Sequence, residues 1–62
     1  MPVVTIDLLK GRDQQTKQAI ATEITAVLSQ HLGNDPAHIY VVFNEVAPND
    51  WAVGGRFFEE EA

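Results

Sequence analysis

Cysteine is absent from this chain, and with it go disulfide bracing and thiolate metal ligation. Histidine is nearly absent too. His31 and His38 have no neighbouring ligands at metal-site spacing, so they read as helix-end and turn residues and no structural metal is expected. Basic residues are scarce: Lys10, Arg12, Lys17 and Arg56 stand against nine acidic ones, for a formal net charge of −5. Four cations are too few for a surface that tracks phosphates, which excludes nucleic acid as a partner. No apolar run approaches the ~20 residues of a membrane span, and the first ten residues lack a signal peptide's basic start and long apolar segment. The expectation is a cytoplasmic protein with no membrane partner.

What is present describes an ordered globular chain, with 45% hydrophobic and 21% charged residues, read as a single domain over 1–62. A domain of about 60 residues buries only roughly 60% of its unfolded surface. With disulfide and metal excluded, self-association is the remaining way to enlarge its core.

Residues 3–9, Val-Val-Thr-Ile-Asp-Leu-Leu, are β-branched and aliphatic. The segment reads as a strand with Val4, Ile6 and Leu8 on one face and Val3, Thr5, Asp7 and Leu9 on the other. Both faces carry apolar residues, so cover is expected on two sides. Lys10-Gly11-Arg12 breaks the pattern, and Asp13 is an N-cap for a helix predicted over 14–32, with Ile20, Ile24, Val27, Leu28 and Leu32 at helical spacing. Gly33 is the expected stop, and Asp35-Pro36 the cap and first position of a short helical turn.

A second strand is predicted over 39–46, again apolar on both sides. Because a long helix separates the two strands, they should run parallel as a βαβ unit. After a turn at Ala47–Asp50, Gly54-Gly55 predicts a tight hairpin between short strands at Trp51–Val53 and Arg56–Phe58, with Glu59-Glu60-Glu61 as a solvated tail. The predicted fold class is α/β: one βαβ unit with a C-terminal β-hairpin. A two-stranded sheet alone is not independently stable.

Pro2 directly follows Met1. Proline is tolerated at the start of a strand for want of any needed N–H. Removal of Met1, however, would leave its secondary amine as the chain terminus and a potential base. In order and spacing, Pro2, the Leu9-Lys10-Gly11-Arg12 ending of the first strand, and Val41–Glu45 followed by Trp51 and Gly54-Gly55 resemble the 4-oxalocrotonate tautomerase family over essentially the whole chain. The resemblance implies βαβ subunits paired into a four-stranded sheet dimer, commonly assembled as a homohexamer (a trimer of dimers), with active sites at subunit boundaries.

The activity so implied is keto–enol tautomerisation of a small anionic substrate such as 2-hydroxymuconate, without metal or organic cofactor, in aromatic hydrocarbon catabolism. Pro2 would be the catalytic base and acid, Arg12 the carboxylate binder and Trp51 the apolar wall. Low dielectric and a nearby guanidinium would both lower the amine's affinity for its proton. The chain departs from well-known members at Tyr40, where they have an arginine that polarises the substrate carbonyl. Tyr40 is thus a hydrogen-bond donor to an enolate oxygen or a packing residue, and Arg56 either supplies the missing charge from a neighbouring subunit or is a plain hairpin charge. The departure opens monocarboxylate enols, such as that of phenylpyruvate, as substrates. Relatives that hydrate or dehalogenate unsaturated acids use a carboxylate where this chain has Val53. If Met1 is retained, Pro2 is an amide, and the alternative is a non-catalytic oligomeric carboxylate-binding protein.

Overall fold

A computed structural model describes residues 1–59; Glu60 and Glu61, expected in the tail, lie outside the described residues. The first strand, β1, is Val3–Leu9, followed by helix α1, Gln14–Leu32, a single 3-10 turn at Pro36–His38, and strand β2, Tyr40–Val46. β1 and β2 pair in parallel, with Val3 opposite Tyr40 and Leu9 opposite Val46. A second 3-10 turn, Pro48–Asp50, leads into the hairpin of β3, Ala52–Val53, and β4, Arg56–Phe57. The βαβ unit and the hairpin thus form as the sequence predicts, with small shifts at their ends.

Each boundary has a local cause. The Asp13 side chain accepts the Thr16 N–H at 2.8 Å and starts α1; Gly33 ends it, donating its N–H to the Ser29 carbonyl at 3.0 Å. Asp35 repeats the device on the short turn, accepting the Ala37 N–H at 2.9 Å ahead of Pro36. Ile39, expected in the second strand, instead closes that turn by donating to the Pro36 carbonyl at 3.2 Å, so β2 begins one residue later. The hairpin ladder likewise excludes Trp51 and Phe58, although the Phe58 N–H still bonds the Trp51 carbonyl at 2.9 Å. Gly54 and Gly55 both hold positive φ, 60° and 84°, the requirement of a two-residue turn that matches strand twist.

No described residue is fully buried. The shielded face of the sheet presents Val4, Ile6 and Leu8 with Val41 and Phe43, half-buried, while Val3, Thr5, Asp7, Tyr40, Val42 and Asn44 alternate to an open face. Helix α1 shields Ile20, Ala21, Ile24 and Leu28. Val27 and Leu32, grouped with these by helical spacing, are instead 53% and 58% exposed. A two-stranded sheet is narrower than the helix's apolar arc, so the flanks of that arc meet no cover among the described residues.

The dimensions agree. The chain extends over 48 × 24 × 13 Å with a radius of gyration of 15.0 Å, whereas a compact domain of this length has about 11 Å. Its accessible surface is 4862 Å², against about 4000 Å² expected for a compact monomer of this mass. A single copy is thus open and extended, with much of its apolar surface uncovered.

Candidate active site

Pro2 opens β1 at one end of the sheet. Its carbonyl accepts the Tyr40 N–H at 3.0 Å, extending the parallel ladder by one bond and fixing the start of the strand, while Met1 before it is 80% exposed. Pro2 itself is half-buried. Its missing N–H leaves no ladder bond unmade, which is why proline is tolerated here.

Arg12 lies at the other end. β1 is seven residues long, and at ~3.3 Å per residue the strand separates its two ends by roughly 20 Å. Where β1 ends, the Lys10 N–H bonds the Val46 carbonyl at 2.9 Å, the chain turns at Gly11 with φ 130°, and Asp13 caps α1. Arg12 is exposed in this junction. The Asp13 carboxyl is held below its ordinary range by hydrogen bonds from Thr16, first through the side chain and then through the backbone N–H.

The remaining candidates divide between the same two ends. Tyr40, half exposed, begins β2 opposite Val3 and so belongs to the Pro2 end. Trp51 and Arg56 follow the Val46 end of β2. The Trp51 ring is half-buried against Phe58, with ring centroids 6.3 Å apart and planes tilted by 48°. Arg56 pairs with Val53 in the hairpin and is exposed. Of the four candidates beside Pro2, one copy therefore brings only Tyr40 to it. Arg12 stands beyond the far end of β1, and Trp51 and Arg56 follow the Val46 end of β2.

Two polar links have no counterpart in the sequence reading. Lys17 Nζ meets Glu45 Oε1 at 3.1 Å, with side chains only 15% and 29% exposed, and joins the first turn of α1 to β2. Asn44 Nδ2 donates to Asp7 Oδ1 at 3.0 Å across the open sheet face. Their partners are 28 and 37 positions apart, so no local spacing could have announced them. Among the described residues no cluster of three His, Cys, Asp or Glu could hold a metal ion, and no helix is long and apolar enough to cross a membrane.

The sequence profile of the tautomerase enzyme family matches residues 2–61. The chain belongs to the tautomerase family. A probable tautomerase of Ralstonia nicotianae is 46% identical over 61 residues, covering 98% of this chain and 94% of that protein. In structure, the tautomerase fold seen here is similar to a crystallised 4-oxalocrotonate tautomerase homologue, with a TM-score of 0.92 and 31% identity over 100% of this chain and 98% of the other. It is similar also to a heterohexameric 4-oxalocrotonate tautomerase from Chloroflexus aurantiacus, with a TM-score of 0.86 and 28% identity over 94% of each chain. Assembly is therefore found among structures of this tautomerase fold, in keeping with the coreless single copy.

Proposed function

We propose that this tautomerase-family chain, freed of Met1, is a cofactor-independent keto–enol isomerase of small 2-hydroxy-dienoates or 2-oxo acids, with the Pro2 amine as the proton carrier. The observation that carries the reading is the placement of Pro2 and Arg12 at opposite ends of β1 in a sheet with two unpaired edges. Antiparallel pairing of two such sheets sets the Arg12 end of one copy against the Pro2 end of the other. A four-stranded dimer, three of which form a hexamer, provides that pairing and covers the open faces.

In this site Arg12 of one copy holds the substrate carboxylate through its planar fork and orients the reacting carbon against Pro2 of another. The amine removes the proton of the dienol and returns it at a distal carbon, so the reaction is an isomerisation with nothing gained or lost. Trp51, with Phe58 behind it, walls the apolar side and lowers the dielectric around the amine. This favours the neutral base at working pH. Tyr40, at the Pro2 end, and Arg56, arriving on a neighbour's hairpin, are the two candidates to meet the enolate oxygen.

Tyr40 also supports a second reading of the substrate. With a phenol in place of a second strand cation, one carboxylate rather than two is the better match, and monocarboxylate enols such as that of phenylpyruvate form the alternative class. Rates of the Met1-free protein on 2-hydroxymuconate and on phenylpyruvate enol, beside those of Pro2→Ala, test the proposal. Loss of both activities with assembly intact is the expected result. Equal rates for the two proteins would overturn it in favour of a carboxylate-binding protein, and the ratio of the two substrates decides between the readings.

A further inference from the structure

We infer that Asp13 is a positioning residue for Arg12, fixing the junction on which the guanidinium is mounted and keeping its own carboxylate from competing with the substrate's. The inference rests on the reading of Arg12 as carboxylate binder.

Arg12 sits between two anchored points. On one side the Lys10 N–H is bonded to the Val46 carbonyl at 2.9 Å; on the other Asp13, in extended geometry at φ −77° and ψ 167°, accepts the Thr16 N–H at 2.8 Å through its side chain and the Lys17 N–H at 3.2 Å through its carbonyl. The turn thus anchored is itself tied to β2 by Lys17 and Glu45 at 3.1 Å. Between the anchors only Gly11 and Arg12 remain, so releasing the Asp13 side chain frees the backbone that aims the guanidinium.

Charge gives the second half of the argument. A guanidinium already paired with a carboxylate of its own chain is a poorer receptor for another. Here Thr16 engages the Asp13 carboxyl, and the only ion pair among the described residues is Lys17 with Glu45. The cap bond thus keeps the carboxyl occupied while it fixes the junction; alanine and glycine lose the fixed junction, whereas asparagine, which caps equally well, keeps it.

The test uses the assembled, Met1-free protein with 2-hydroxymuconate and phenylpyruvate enol as probes. Asp13→Ala should raise KM on the order of 3- to 10-fold while kcat stays within about twofold, the signature of lost substrate binding rather than lost chemistry. Asp13→Asn should restore KM. In an Arg12→Ala background, Asp13→Ala should change KM no further, because the two act through one contact. Should Asp13→Ala fail to assemble, Asp13→Gly removes the same side-chain bond at little cost to the helix start and should raise KM alike. An unchanged KM, failure of asparagine to restore it, or an equal effect with and without Arg12 overturns the inference. If Arg12→Ala alone leaves KM unchanged, the assignment of Arg12 itself fails, and the inference with it.

Discussion

Pro2 and Arg12 each stand where the local pattern breaks, but the roles expected of them came from the family resemblance and not from either residue alone. Proline just before a strand and Gly-Arg-Asp between a strand and a helix are visible without any tertiary contact. Gly11 shows how far such local reading reaches. Its φ of 130° lies where side chains are strained, so Gly11→Ala should destabilise the fold by about 1–3 kcal/mol, read as a lower denaturation midpoint, even though no atom beyond its own chain neighbours lies within 4 Å of the added methyl. Asp13 makes a prediction of opposite character, in pH. Its carboxyl is depressed in the folded chain by Thr16. The stability it contributes is therefore fully present above its ordinary value of 3.8 and is lost as pH falls through its lower folded value. Asp13→Asn should remove that part of the acid limb; an unaltered acid titration of stability would contradict the cap.

The elements were foreseen nearly to the residue, because strand, helix and turn signals here are strong and agree with one another. Their faces were only half foreseen. Helical periodicity placed Val27 and Leu32 with Ile24 and Leu28 on one stripe, but periodicity reports which residues share an arc and is silent on how wide a surface waits to receive it. The Lys17–Glu45 link, joining helix to strand across the chain, was invisible for a related reason: it depends on how α1 is laid over β2. Since both side chains are partly shielded, a double-mutant cycle of Lys17→Ala and Glu45→Ala should return a coupling of about 0.5–1 kcal/mol, weakened by added salt. A coupling of zero would make the pair incidental.

At the scale of the whole molecule the missing core is the dominant fact. Val3, Tyr40 and Val42 are 60%, 50% and 47% exposed on one sheet face, and Val53, Phe57 and Phe58 are 60%, 50% and 57% exposed on and beside the hairpin. Covering each such side chain contributes up to about 1.5–3 kcal/mol, a large fraction of the 5–15 kcal/mol typical of a whole domain. Folding and association should accordingly be one event, with a melting temperature that rises with protein concentration. Val42→Glu, which places a charge on the open face, should shift sedimentation to smaller species and lower the helical signal in far-ultraviolet dichroism together; a stable, fully helical monomer would refute the coupling. The amino-acid sequence by itself determined the elements and their order, since caps, turns and strand propensities act within a few residues of one another; the candidate chemistry came from the family resemblance. Only the tertiary structure decided that Pro2 and Arg12 face away from each other along a strand. That separation follows from the length and rise of β1, and it is why the proposed site needs a second copy.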